Sequence, residues 1–184
     1  LPLSGSVSTP DGDFLAFDHY HLPEAKGLVV LCHGLEGHAR RPYMLGMTAQ
    51  LLQAGYAVLA WNYRSCGGPL NQTPIFYHSG ATYDLQSMVE YALSTQGLPV
   101  YLVGFSMGGN LILRWLGEQG TQLSPRIRAA VAISVPIDLA GSADQLHQGF
   151  NRVYAHNFLK SLKQKVRLKA GLYPQHFDLR RLEK

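Results

Sequence analysis

The chain has 184 residues, 46% of them hydrophobic and 15% charged, with a formal net charge of +4. That length and balance fit one domain with one sizeable core, and exclude a disordered chain or a collagen-like fibre. No apolar run is long enough for a membrane-spanning helix, and the opening LPLSGSVSTPDGD lacks the basic-then-apolar order of a signal peptide.

In chain order, DFLAFDHY (13–20) alternates like an antiparallel strand. GLVVLCH (27–33) is a short continuous apolar run, as expected of a strand covered on both faces. PYMLGMTAQLLQAG (42–55) predicts a helix stopped by Gly55, and YAVLAWNYR (56–64) a strand. TYDLQSMVEYALSTQG (82–97) predicts a helix ending at Gly97, with Leu85, Met88, Val89 and Ala92 on one face. PVYLVGF (99–105) predicts a strand, MGGNLILRWLGEQG (107–120) a helix and IRAAVAISV (127–135) a strand. Strands separated by helices cannot be hairpins. They form parallel β-α-β units, so the fold class is α/β: a mostly parallel sheet with helices on both faces.

The last part differs. NRVYAHNFLKSLKQKVRLKA (151–170) predicts a helix with Phe158, Leu162 and Val166 in one stripe, and GLYPQHFDLRRLEK after it reads as irregular. Residues 1–140 hold 7 Lys/Arg against 9 Asp/Glu, and residues 141–184 hold 9 against 3. The expected organisation is a core over 1–140 and a basic, helical, cap-like segment over 141–184 of the same domain. A weak contact of 151–170 with an anionic membrane surface is one expectation, and a solvated amphipathic helix the commoner reading. The tail has no motif that points to nucleic acid. The two cysteines, Cys32 and Cys66, make no disulfide framework and no C-x-x-C pair, so free thiols in a reducing cytoplasm are expected.

GFSMGG (104–109) carries the chemistry. A serine hydroxyl is a poor nucleophile until a base takes its proton, and it must be exposed to reach a carbonyl. G-x-S-x-G between a strand and a helix solves the exposure with a sharp turn that puts Ser106 at its apex. Gly104 and Gly108 must be tiny because strand and helix pass close together there. The Met107 N–H, at the start of the helix, is one expected oxyanion donor. HGLEG (33–37) follows an earlier strand at the same sheet edge, and the Leu35 N–H is the expected second donor. Gly34 lets the backbone turn, and His33 is expected to brace the loop rather than do chemistry. No metal is expected, since His33 and His38 have no further ligand at suitable spacing. The stretch NYRSCGGPLNQTPIFYHSG (62–80) lies at the same edge, where Arg64 is placed to organise hydrogen bonds; a plain surface loop is the alternative.

With HGLEG, NYRSCGG, YHSG and GFSMGGN in this order, the chain resembles the α/β-hydrolase superfamily, and more narrowly its YheT-like branch, bacterial relatives of eukaryotic membrane-associated esterases and phospholipases. STPDGDFLAFDH, GFNRVYAHNFLKSLKQK and LYP extend the resemblance from about Asp11 to Pro174. It implies a serine hydrolase of short-chain esters, monoacylglycerols or phospholipids, with no cofactor. Ser106 is then the nucleophile, and Leu35 and Met107 supply the oxyanion hole. Two positions depart from the branch: Ser65 stands where glycine is usual, and His38 where a small residue such as serine is usual.

In this fold the nucleophile is followed by an Asp or Glu and then a His, each after a later strand. Only one predicted strand follows Ser106, and the chain opens on Leu, so the sequence reads as a piece of a longer protein, with both partners expected beyond Lys184. Asp138 follows that strand but reads as a loop or helix-cap residue, and Asp84 as a helix-start acid. His147, His156 and His176 read as ordinary surface, and His19 and His21 have the wrong order. The rival functions are a non-catalytic binding protein on the same fold and an acyltransferase using the same nucleophile.

Overall fold

The computed structural model describes residues 1–95 and 97–182. Two compact units are taken in turn, Leu1–Val135 and the chain from Pro136 onward.

The first unit is a six-stranded sheet. Its strands are β1 (Leu3–Ser8), β2 (Phe14–Tyr20), β3 (Leu28–Cys32), β4 (Ala57–Trp61), β5 (Val100–Phe105) and β6 (Ile127–Ile133), in the order β1-β2-β4-β3-β5-β6. The pairs β1–β2 and β2–β4 are antiparallel, while β4, β3, β5 and β6 run parallel. The helices α1 (Pro42–Gln53), α2 (Thr82–Thr95) and α3 (Met107–Gln119) make the crossovers. The α/β class read from the apolar runs therefore holds. The end of the second predicted helix runs through Gln96, which lies outside the described residues.

Two elements of the first unit differ from the sequence reading by more than two residues. LSGSVS at the start forms β1, which the sequence hides because its serines face solvent and little of the strand is buried. The strand predicted over 56–64 stops at Trp61, so Asn62, Tyr63 and Arg64 belong to the loop that follows.

Every residue of β3 and β4 is buried, because both strands have a neighbour on each side and helices on each face. One face carries Val29, Leu31, Val58, Ala60 and Val103 against Ala39 and Met44. Alternate residues Leu28, Val30, Leu59, Trp61 and Leu102 turn to the other face, where α2 and α3 bury Leu85, Met88, Leu111, Ile112 and Trp115. Each such side chain contributes about 1.5–3 kcal/mol on leaving water. α1 starts on Pro42 at its first turn and is followed by Gly55 at φ +89, a left-handed stop.

The register sets the site. Cys32, the last residue of β3, lies opposite Trp61 of β4 and Gly104 of β5. The three loops that leave these strands therefore emerge side by side at one sheet edge.

The second unit contains α4 (Leu139–Leu146) and α5 (Asn151–Leu172), followed by two single 3₁₀ turns at Pro174–His176 and Leu179–Arg181. Phe158, Leu162 and Val166 are half-buried along α5, while Phe150, Val153, Tyr154, Leu168 and Leu172 are exposed.

Candidate active site

β5 ends at Phe105, and the Ser106 N–H still donates to Ile133 O at 2.8 Å, the last rung toward β6. The chain then reverses into α3 with Ser106 at φ 51, ψ −118. A serine in that conformation costs about 1–3 kcal/mol and persists only where its surroundings enforce it. The surroundings are the three glycines. A Cβ on Gly104 would lie 2.6 Å from the backbone of Gly108 and Gly109, and one on Gly108 would lie 2.6 Å from His33 O and 2.7 Å from Cys32 O. One on Gly109 would lie 2.5 Å from Val135 Cγ2. Strand, helix and the neighbouring strand end are packed backbone to backbone, and only hydrogen fits between them.

The HGLEG turn lies directly against this bend. A Cβ on Gly34 would sit 3.4 Å from the Ser106 Cβ. His33 is fully buried; its Nδ1 and the Gly34 carbonyl are 2.7 Å apart, and its Nε2 accepts the Tyr63 N–H at 3.3 Å. Those partners fix the neutral tautomer with the proton on Nδ1, donating to Gly34 O. The Gly37 N–H donates to the same carbonyl at 3.0 Å. In a trans peptide the N–H points away from the C=O, so two donors on Gly34 O also set the direction of the Leu35 N–H. Leu35 and Met107, the expected oxyanion donors, both have backbone N–H groups with no acceptor among the described residues. The Ser106 hydroxyl accepts no capping hydrogen bond from the first turn of α3.

The third loop is not a plain surface loop. Arg64 is 1% exposed and donates from Nε and Nη2 to Asp84 at 2.7–3.1 Å and from Nη1 to Asp11 at 2.7 Å and Asp13 at 3.2 Å. Burial alone would lower the Arg64 pKa, but the hydrogen bonds to Asp84 and Asp11 raise it instead. Burial alone would also raise Asp13. The Thr73 hydroxyl, the Gln72 and Phe14 N–H groups and the Asn71 amide outweigh it and hold Asp13 at about 2. Asp84 therefore stands in the first turn of α2, as read, but its partner is Arg64. Ser65 takes φ 61, where glycine is unstrained, and its hydroxyl accepts the Asn71 N–H at 3.3 Å. Burial pushes the Cys32 thiol up to about 12 against the pull of the Trp61 N–H; neither cysteine is in a disulfide, and both are buried.

Sequence reasoning missed the roles of Tyr43, Tyr63 and Tyr77, all of which touch the HGLEG turn, and of Glu36 within it, whose N–H and carboxylate both meet Tyr77. Tyr77 stands in YHSG, but nothing in the spacing says that its hydroxyl meets residue 36. In the second unit Asp138 caps α4, accepting the Gly141 N–H at 3.0 Å. Among the described residues no three His, Cys, Asp or Glu side chains group as a metal site, and no helix is long and apolar enough to cross a membrane.

The family model described as serine aminopeptidase, S33 matches residues 23–176. YheT of Escherichia coli K12, an esterase by name, is 32% identical over 172 residues, covering 91% of this chain and 50% of that protein. The monoacylglycerol lipase of Saccharomyces cerevisiae is 25% identical, covering 86% of this chain and 35% of that protein. The chain thus spans half or less of the length of these curated relatives. Among solved structures, an esterase of Pyrococcus furiosus superposes with a TM-score of 0.68 at 22% identity, covering 88% of this chain and 67% of that one, which shows a shared fold.

Proposed function

The chain belongs to the α/β-hydrolase superfamily, in the family of the S33 serine aminopeptidases, and on that premise we propose that it carries the nucleophile and oxyanion hole of a carboxylic ester hydrolase. The observation that supports this most is Ser106, a non-glycine residue at φ 51 between β5 and α3 with glycines packed on both sides. Strain of this kind collects where a side chain must be presented.

In the proposed reaction the Ser106 Oγ attacks the ester carbonyl carbon and its proton passes to a histidine base. The carbonyl oxygen becomes an oxyanion held by the Leu35 and Met107 N–H groups. The carbon–oxygen bond to the alcohol breaks, the base returns the proton to the departing alcohol, and an acyl-serine remains. Water then adds to the acyl carbon by the same steps, releasing the carboxylic acid and restoring Ser106. We place the base and its carboxylate partner beyond Lys184, because both follow the nucleophile in chain order and the relatives are about twice as long or longer.

The proposed substrates are short-chain esters, monoacylglycerols or phospholipids. The names of the relatives support the ester class: an esterase in Escherichia coli, a monoacylglycerol lipase in yeast and a phospholipase, ABHD3, in Mus musculus. We further propose a cytoplasmic protein, in keeping with two thiols not joined in a disulfide, whose residues 151–170 touch an anionic membrane surface weakly. Val153 and Tyr154 are exposed on α5 beside Arg152, a composition that suits such a surface.

The test is hydrolysis of p-nitrophenyl butyrate and labelling by a fluorophosphonate, in the natural protein that carries this chain. Wild type should do both, and Ser106→Ala neither, with its fold intact. Turnover at the wild-type rate in Ser106→Ala would end the proposal.

A further inference from the structure

The turn from Gly34 to Gly37 presents four consecutive backbone N–H groups, and three of them are occupied. The Gly34 N–H donates to the Tyr43 hydroxyl at 3.0 Å, the Glu36 N–H to the Tyr77 hydroxyl at 3.1 Å, and the Gly37 N–H to Gly34 O at 3.0 Å. The one between the two tyrosine-bound groups is that of Leu35. We infer that Tyr43 and Tyr77 are positioning residues of the oxyanion hole, each holding the peptide on one side of the Gly34–Leu35 peptide so that the Leu35 N–H faces the reacting carbonyl. This inference rests on the reading of Ser106 as the nucleophile.

The two tyrosines come from different elements, and each is anchored to a different wall of the site. Tyr43 is the second residue of α1, and its ring packs edge-on against Phe105, the residue before Ser106, with centroids 5.0 Å apart. Tyr77 comes from the loop after β4, and its ring stacks on Tyr63 at 5.4 Å. The Tyr63 hydroxyl in turn donates to His33 O at 2.8 Å. The turn is therefore tied to the nucleophile's strand on one side and to its own root on the other.

Tyr77 does more than accept one bond. Glu36 has φ 53, a left-handed conformation that costs a non-glycine residue about 1–2 kcal/mol. The Tyr77 hydroxyl accepts the Glu36 N–H and donates to the Glu36 carboxylate. A single hydroxyl thus grips both ends of the strained residue. Burial raises the pKa of Tyr77, and of Tyr43 to a lesser degree, so both remain hydroxyls across the working range of a hydrolase. Loss of the Tyr77 hydroxyl removes two of the bonds that hold Glu36 at positive φ, and the expected relaxation is toward negative φ. That rotation carries the preceding peptide with it and swings the Leu35 N–H off line.

An oxyanion donor acts on the transition state and hardly on the bound ester, so misaiming it lowers kcat and spares KM. The experiment compares wild type, Tyr43→Phe, Tyr77→Phe and Ser106→Ala in the natural protein, with p-nitrophenyl butyrate and a fluorophosphonate. Phenylalanine keeps the ring contacts and removes only the hydroxyl. The expected result is a fall in kcat of at least about ten-fold in each tyrosine variant, short of the ~100-fold or more that follows loss of a donor itself. KM should stay within about two-fold, and phosphonylation should slow in parallel with kcat. A kcat and labelling rate equal to wild type, or a rise in KM alone, overturns the inference. If Tyr77→Phe fails to fold, Tyr43→Phe decides by the same readings, since Tyr43 is 40% exposed and loses a single bond. If wild type neither turns over nor takes the label, the reading of Ser106 falls first and takes this inference with it. If wild type reacts, Ser106→Ala does not, and the tyrosine variants match wild type, only the inference falls.

Discussion

Gly34 and Ser106 are neighbours across the sheet edge: a methyl group on the glycine would stand 3.4 Å from the Ser106 Cβ, in ordinary van der Waals contact. Two loops far apart in the chain meet there because β3 and β5 lie side by side in register, Cys32 opposite Gly104.

The strain at Ser106 separates presentation from stability. Ser106→Ala keeps a Cβ at φ 51 and should leave stability close to wild type while abolishing ester hydrolysis. Ser106→Gly also abolishes hydrolysis but removes the strain, and should be more stable than Ser106→Ala by about 1 kcal/mol. Urea midpoints of the two variants measure the difference.

Gly104→Ala tests the close packing under the bend. The new methyl would lie 2.6 Å from backbone atoms of Gly108 and Gly109, which cannot swing aside as a flexible side chain can. A loss of about 1–3 kcal/mol or more is expected, with activity falling as α3 is pushed from β5. A midpoint equal to wild type would contradict the packing described.

Arg64→Met should be among the most damaging substitutions outside the site. It leaves Asp13 and Asp84, both buried, without their cation. Removing one partner of a buried ion pair costs about 3–5 kcal/mol. Arg64→Lys should recover only part of that, because an ammonium cannot serve Asp84 and Asp11 together as the guanidinium fork does. Chemical denaturation of the three proteins gives the order.

Acid should weaken the same network. Asp13 is held at about 2, below the ordinary aspartate value, so its contribution is full above about pH 4 and lost as the pH falls toward 2. Asp84 has the opposite sign, since burial raises it: its penalty is relieved as the pH falls toward the ordinary aspartate value, which offsets part of the loss above about pH 4 and none below it. The expected loss is on the order of 2 kcal/mol, read as a drop in urea midpoint between about pH 5 and pH 2.5. Asp13→Asn should be less stable at pH 5 and lose less on acidification.

Ser65 tests a departure from the branch that the sequence resembles. Ser65→Ala keeps a Cβ at φ 61 and loses the bond to the Asn71 N–H, so about 1 kcal/mol of destabilisation is expected. Ser65→Gly loses the same bond but removes the strain, and should be the more stable of the two by about 1 kcal/mol. Thermal melts of both variants decide.

The strand and helix order was legible because β3, β4 and β5 are continuous apolar runs, each closed by a glycine- or polar-rich turn. The bend at Ser106 was legible for a local reason: glycines two residues either side are what close packing there requires. β1 was not, since an edge strand that reads LSGSVS buries too little to leave a hydrophobic signature. The end of β4 was misplaced because Tyr63 looks like a strand residue, whereas its hydroxyl is needed on His33 O. The partners of Arg64 and the two tyrosine hydroxyls could not be read at all. Asp11 with Arg64, and Glu36 with Tyr77, are brought together by the sheet, and no spacing in the chain encodes them.

The two thiols turn the fold into its own clock. Cys32 sits at the end of the central strand, fully buried and with its pKa pushed up to about 12, so an alkylating reagent reaches it only when the sheet opens. Cys66 lies in the loop after β4, buried under neighbouring side chains rather than inside the ladder. Its alkylation times the opening of that loop alone. The ratio of the two modification rates, followed by mass on the native protein, separates breathing at the rim of the site from unfolding of the frame that carries it.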